Sequence, residues 1–183
     1  GFVIAEMISE LNVGHAYYQG GPTGEGSPGA NVGMLGCDFE LITQNHAGQN
    51  RTAYRIASIL RAGPWDLDAR SPLDQPALDV KEGDFILEVN GVPIDTSKDP
   101  WAAFEGLAGR TITLTVSSVP VVDDTARRIV VDTIGSESGL RYRAWVESRR
   151  QYVESRTNGQ VAYIHVPDTG VNGQNNLVRQ YFG

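Results

Sequence analysis

Apolar and polar residues alternate along the middle of the chain, and this alternation predicts a series of short strands. A strand is predicted over 33–42, where Cys37, Phe39 and Leu41 alternate with two acidic residues. A second strand is predicted over 53–60, and a polar connection between the two indicates a hairpin. The two-residue period means that each strand buries one face and exposes the other.

The clearest local signal is the segment over 83–94, which reads Gly-Asp-Phe-Ile-Leu-Glu-Val-Asn-Gly-Val-Pro-Ile. It predicts a buried strand, an Asn-Gly turn and a short return strand. Asp99 and Pro100 then have the residue types of a helix cap and a first helical position. A half-exposed strand follows over 110–117, where apolar residues alternate with threonines.

The two flanks have a different pattern. The first 30 residues predict a short helix followed by a loop over 19–30 that is rich in glycine and proline. After a linker, the last third predicts a strand over 129–134, a long helix over 136–156, a buried strand over 161–166 and a helix over 172–182. The expected fold class is therefore α+β, with short strands in the middle and strand–helix alternation near the end.

The amino-acid composition excludes several classes of function. The formal net charge is −7 with 15 basic and 22 acidic residues, so binding to nucleic acid or to an anionic membrane is not expected. The single cysteine, Cys37, excludes an internal disulfide framework. No apolar run reaches membrane-spanning length. The three histidines lack the spacing of metal ligands, and no phosphate-binding motif is present, so neither metal nor cofactor is expected.

The middle of the chain resembles a PDZ domain of the bacterial, circularly permuted kind, on the segment over 83–91 and on Met34-Leu35-Gly36-Cys37. The resemblance implies that the latter is a carboxylate-binding loop, whose backbone N–H groups converge on a peptide carboxylate. The following strand would pair an extended peptide at its free edge. The peptide-binding residues implied are Leu35, Gly36, Cys37, Asp38 and Phe39.

Two alternatives to peptide binding stay open for this loop. Gly36 can be only a turn glycine, with the groove blocked by its own chain. The domain can also serve as a spacer or gate that binds no peptide. In a groove that does bind, the charges of Asp38 and Glu40 would disfavour acidic peptides.

Three segments of the flanks carry a second resemblance: Glu-Leu-Asn-Val-Gly-His-Ala-Tyr over 10–17, Val-Asp-Thr-Ile over 131–134 followed by Glu-Ser-Gly-Leu-Arg-Tyr over 137–142 and Trp145, and Val-Ala-Tyr-Ile-His-Val-Pro-Asp-Thr-Gly over 161–170. With these segments the flanks resemble the tricorn protease family, in which a PDZ domain is inserted into a split α/β serine-protease core. This resemblance implies that His15 is the general base. It also implies that the backbone N–H of Gly170 is an oxyanion-hole donor.

The sequence departs from this family at one position and stops short of others. Gly14 stands where tricorn has a serine that helps to orient the imidazole, so the relay must differ or use water. The nucleophilic serine and the distal acid are expected beyond Gly183, and both ends of the chain look cut. We therefore expect this chain to be a piece of a longer protein and to hydrolyse no peptide bond by itself.

The expected organisation has three parts: a first core segment over 1–30, a PDZ domain over 31–118, and the start of a second core segment over 119–183. In full, the expected fold is a permuted PDZ-like sandwich or partial barrel with two short helices, flanked by incomplete pieces of an α/β core. The resemblance implies a cytoplasmic, homo-oligomeric serine endopeptidase acting on peptide or protein substrates. The alternative is a non-catalytic peptide-binding or scaffold module.

Overall fold

The structure, a computed structural model, describes residues 7, 10, 31–61, 63 and 70–182. The chain divides into two compact units, 1–30 and 31–183. Apart from Met7 and Glu10, all described residues belong to the second unit.

A six-stranded sheet forms the centre of the second unit, and all its strand pairs are antiparallel. The strand order is β1-β2-β3-β5-β6, and the short β4 pairs with β3. The strands are β1 (Cys37–His46), β2 (Gln49–Ile59), β3 (Phe85–Val89), β4 (Val92–Pro93), β5 (Thr111–Ser117) and β6 (Arg127–Asp132). An antiparallel sheet with helices outside it confirms the predicted α+β class.

Both predicted hairpins are present. The β3–β4 turn places Asn90 and Gly91 at φ 51° and 77°, the left-handed region that a two-residue turn of this kind requires. The strand predicted over 129–134 is β6, and it pairs with β5. It therefore belongs to the same sheet as the strands of the predicted PDZ unit. The predicted end of that unit, residue 118, lies before this strand.

The helix predicted after Asp99 is a single 3₁₀ element, Pro100–Phe104. The Asp99 side chain accepts a hydrogen bond from the Trp101 N–H at 2.9 Å, as its residue type predicts. The chain directly beyond it is held by the segment that leads into β1. Gly106 donates its backbone N–H to the Asn31 carbonyl at 2.6 Å.

The core lies between the sheet, the 3₁₀ element and the loops before β1 and β3. Its members are mainly aliphatic side chains from alternate strand positions, together with one aromatic ring from the 3₁₀ element. Fully buried members include Leu35, Cys37, Ile56, Leu73, Ile86, Phe104, Leu114 and Val116.

Two helices follow the sheet, α1 (Ser138–Thr157) and α2 (Val171–Phe182), close to the predicted positions. The buried strand predicted over 161–166 is not formed, and Val161 and Val166 are exposed. The Gln180 side-chain amide takes both backbone groups of His165 that a strand partner would have used, at 3.1 and 2.9 Å. Among the helices in the described residues, none has the length and apolar character needed to cross a membrane.

Candidate peptide-binding site

The predicted carboxylate-binding loop joins the core to the first strand. Leu35 and Cys37 are both fully buried, so the loop is fixed on either side of Gly36. Gly36 has φ +71°, and a Cβ placed there would lie 2.6 Å from the Ser71 Oγ. The Ser71 hydroxyl donates to the Leu35 carbonyl at 2.8 Å. Only glycine fits this conformation and this close approach.

Both backbone groups of Gly36 have partners inside the chain. Its carbonyl accepts from the Leu60 N–H at 2.8 Å, on the side of β2. Its N–H donates to the Glu137 Oε1 at 2.7 Å. Glu137 immediately precedes α1, and only 7% of its surface is exposed. The N–H predicted to receive a peptide carboxylate is therefore bonded to a carboxylate of the protein itself.

Arg141, one turn into α1, completes this contact. Its Nε and Nη2 both donate to the Glu137 Oε2, at 2.9 and 2.7 Å, so these charge-assisted hydrogen bonds share one carboxylate oxygen and leave the other to Gly36. Its Nη1 lies 2.9 Å from the Asp38 Oδ1. Burial acts to lower the pKa of Arg141, but hydrogen bonds to Asp38 and Glu137 outweigh it, so the pKa is raised and the positive charge is kept.

The first peptide group of the β1 edge is also contacted. Because the Gly36 carbonyl faces β2, the next carbonyl points to the opposite edge. That carbonyl, of Cys37, accepts from the Arg141 Nη2 at 3.4 Å. Glu137 and Arg141 together thus cover the loop and the beginning of the edge.

The remainder of β1 has a strand neighbour on one side only, β2, as far as the described residues go. A bulge interrupts the pairing between Asp38 and Phe39. The Phe39 ring packs edge-on against Trp101, with centroids 5.0 Å apart, and lies 6.4 Å from Phe104. The beginning of β1 therefore lies beside the 3₁₀ element, and its position at the end of the strand order leaves the unpaired edge that strand addition by a peptide needs.

The two acids of β1 do not carry free charge toward that edge. The Glu40 Oε1 lies 2.6 Å from the Arg55 Nη2. Asp38 accepts from the Ser58 hydroxyl at 2.8 Å, in addition to its contact with Arg141. The expected repulsion of acidic peptides is accordingly weakened by these partners.

Cys37 is a packing residue in this site. Burial raises the pKa of its thiol far above the ordinary range, and the nearby charges of Glu137 and Asp38 raise it further, while Arg141 acts in the opposite direction. A thiol held protonated in this way is a poor nucleophile.

The two residues implied to be catalytic are placed differently. His15 lies outside the described residues. Gly170 is exposed and directly precedes α2. Its N–H donates to the Asp168 Oδ1 at 2.8 Å, and the same oxygen accepts from the Gly173 N–H at 2.9 Å. The predicted oxyanion donor is therefore engaged by a local side chain, in the manner of a helix cap.

Sequence reasoning gave Glu137, Arg141 and Ser71 no role in this site, although the first two belong to the motif over 137–142 that resembles the tricorn family. The first two have the i, i+4 spacing of a helical ion pair, a common surface pattern that gives no hint of a partner 101 residues earlier in the chain. No local signal distinguishes Ser71 from the other serines of the chain.

Comparison with known proteins identifies the family of the chain. Residues 33–136 match the family model described as the tricorn protease PDZ domain. The chain belongs to this family. The matched range contains the whole sheet and reaches the residue before Glu137.

The similarity continues outside the matched range. The tricorn protease of Thermoplasma volcanium is 33% identical over 98% of this chain and 16% of its own length. The tricorn protease homolog 1 of Streptomyces coelicolor is 39% identical over 89% of the chain and 14% of its own length. A solved structure described as the crystal structure of the tricorn protease superposes with a TM-score of 0.75 at 26% identity, over 99% of this chain and 16% of that one. The chain thus spans about one sixth of the length of these relatives.

Proposed function

We propose that this chain belongs to a serine protease of the tricorn type, which hydrolyses peptides by acyl transfer without a cofactor. The observation that carries the proposal is the similarity to proteins named tricorn protease along 98% of the chain, including its flanks. A PDZ domain alone would account only for residues 33–136.

In this reaction His15 is the general base and the Gly170 N–H is one donor of the oxyanion hole. His15 accepts the proton of the nucleophilic serine and returns it to the leaving amine. Gly170 can serve only after Asp168 gives up its hydrogen bond, because one N–H cannot point at both oxygens. The segments over 1–30 and 119–183 are then parts of the split protease core.

The test of this function is hydrolysis of fluorogenic peptides by the protein that carries this chain. Changing His15 to Ala is expected to reduce kcat by on the order of a thousandfold, whereas His46→Ala leaves it unchanged. Retention of activity by the His15 variant would contradict the assignment. The 183-residue chain alone is expected to show neither turnover nor labelling by a serine-directed fluorophosphonate.

The unit over 31–118 is proposed to be a permuted PDZ domain that binds an extended peptide along β1. Its support is the edge position of β1 beside the 3₁₀ element. The ligand is a peptide or protein segment, because strand addition uses backbone hydrogen bonds common to all peptides. By the same resemblance the full protein is proposed to be cytoplasmic and to form a homo-oligomer. Light scattering of the full protein would test its oligomeric state.

A second candidate function is a binding or scaffold module without catalysis. Two observations favour it: Gly14 lacks the hydroxyl that tricorn has at this position, and the Gly170 N–H is already engaged. The module would be favoured over the protease if the wild-type protein bound peptide without hydrolysing it and the His15 variant bound the peptide equally well.

A further inference from the structure

Glu137 occupies the position in which a peptide's terminal carboxylate is expected. One carboxylate oxygen accepts the N–H of the loop glycine at 2.7 Å. The other accepts two N–H groups of Arg141. Glu137 itself is buried between the loop and the start of α1, with only 7% of its surface exposed, whereas the Arg141 side chain is partly exposed.

We propose that Glu137 is the resident ligand of the carboxylate-binding loop, and that the groove consequently takes internal extended segments rather than chain termini. This inference rests on the proposed function of β1 as a peptide-binding edge. It adds the ligand class: a segment without a terminal carboxylate, paired along β1 beyond Cys37.

Competition by a terminal carboxylate would be costly. An incoming carboxylate must displace Glu137, which would leave that charge buried or force the start of α1 to move. It must also displace Arg141 from the Cys37 carbonyl and from Asp38. Without displacement, two carboxylates would share one donor at close range, which is electrostatically unfavourable.

Beyond Cys37 nothing comparable blocks the edge among the described residues. The acidic side chains of this part of β1 are Asp38, held by Ser58 and Arg141, and Glu40, held by Arg55. An extended segment can therefore pair with the backbone from Phe39 onward without disturbing Glu137.

The experiment compares two versions of one labelled heptapeptide, fluorescein-Lys-Thr-Val-Thr-Ile-Thr-Val, with a free carboxylate or a terminal amide. Binding to the 183-residue chain is measured by fluorescence anisotropy. The wild type is expected to bind both within about a factor of two. Glu137→Ala, which empties the loop and leaves Arg141 beside it, is expected to prefer the free acid by on the order of tenfold.

Two further variants separate charge from occupancy. Glu137→Gln keeps an oxygen that can accept from Gly36 and is expected to behave as the wild type. Glu147→Gln removes a similar glutamate–arginine pair from the same helix without touching the loop, and is the matched control. In parallel, the Gly36 amide resonance is expected to shift in Glu137→Ala but not in Glu147→Gln.

The outcomes separate the two levels of the proposal. A wild type that prefers the free acid would overturn the inference and leave peptide binding along β1 standing. A Glu137→Ala variant that is folded yet shows no preference would also overturn it. No binding of either peptide by any variant would contradict the proposed peptide-binding function and the inference together. If Glu137→Ala does not fold, the comparison of the two peptides on the wild type decides.

Discussion

Two backbone N–H groups for which the family resemblance implies anion binding, those of Gly36 and Gly170, are both bonded to carboxylates of the chain itself. At Gly36 the carboxylate is Glu137, which is buried and 101 residues away, with an arginine on its second oxygen. At Gly170 it is Asp168, which is exposed and two residues away. The same interaction therefore fixes tertiary structure in one region and caps a helix in the other.

The difference lies in what must move to free each N–H. Asp168 can rotate away into water, where its charge is solvated. Glu137 can leave only by entering solvent together with the start of α1, because Arg141 ties it to Asp38 and to β1. The loop around Gly36 is thus expected to be closed at rest, and the turn around Gly170 to exchange easily.

The largest expected contrast between the two regions is in thiol reactivity. Cys37 is fully buried, and its pKa is raised by burial and by the charges of Glu137 and Asp38. In a Thr169→Cys variant, the new thiol lies in the exposed turn beside Gly170. At pH 8 we expect iodoacetamide to modify the new cysteine at least about a hundredfold faster than Cys37.

Mass spectrometry checks this prediction, since the variant has only two cysteines. The native protein is expected to gain one adduct, and the protein unfolded in guanidinium chloride two. Rapid modification of Cys37 in the native wild type would show that the loop opens readily, and would remove the proposed difference between the regions.

Replacement of the loop glycine is expected to have the next largest effect. In Gly36→Ala the residue keeps φ +71° and its Cβ meets Ser71, so we expect a loss of about 3 kcal/mol in the free energy of unfolding. Gly48→Ala is the matched control, because it also has positive φ but no atom within 4 Å of the new Cβ. It is expected to cost only about 1 kcal/mol.

Urea denaturation followed by circular dichroism measures both values. Equal costs for the two variants would mean that Ser71 yields to the new Cβ and that the loop is less tightly held than its contacts indicate.

Much of the fold could be predicted because its signals are local. The Asn90-Gly91 turn requires two residues with positive φ, and those residue types supply them. The Asp99 cap and the alternation in β1 and β5 are likewise written in consecutive residues. The prediction of a strand over 161–166 was wrong. An apolar run in the sequence does not reveal that the side chain of Gln180 takes the backbone hydrogen bonds of His165.

The candidate site divides in the same way. Leu35, Gly36 and Cys37 could be selected from sequence because the segment over 34–37 resembles the carboxylate-binding loop of a PDZ domain, and a resemblance of this kind is carried by consecutive residues. The occupant of the loop could not, because Glu137 is brought there by tertiary packing across a hundred residues. One of the alternatives left open by the sequence, a groove blocked by its own chain, is what the structure has at Gly36, while the rest of the β1 edge is not covered in the described part of the chain.

Removing each carboxylate tests the comparison directly. Glu137→Ala leaves the Gly36 N–H buried without its acceptor and removes the carboxylate that accepts two hydrogen bonds from Arg141, and is expected to cost about 2 kcal/mol. Asp168→Ala removes a cap from the beginning of α2 and is expected to cost about 1 kcal/mol. Thermal and urea unfolding of the two variants measure the difference. An Asp168 variant as unstable as the Glu137 variant would contradict the view that its contact is only local.

The smallest expected effect isolates the ion pair from the loop. Glu147 is on the same helix as Arg141 and accepts from Arg150 at 3.0 and 2.5 Å, but no loop N–H is involved.

The hydrogen bond from Arg150 is the main cause that lowers the pKa of Glu147, with Gln151 adding to it and burial opposing it. A carboxyl whose pKa is lowered by folding stabilises the protein at pH values above the ordinary pKa of the group, which is about 4.3. This stability is lost as pH falls through the lowered pKa. Wild type and Glu147→Gln are therefore expected to differ by about 0.5 kcal/mol at pH 7 and to converge as pH falls through the lowered pKa of Glu147. Glu105→Gln, at an exposed position, is the control for a general effect of charge. If Glu147→Gln cost as much as Glu137→Ala, the ion pair alone would account for the stability at Glu137, and the contact with Gly36 would contribute little.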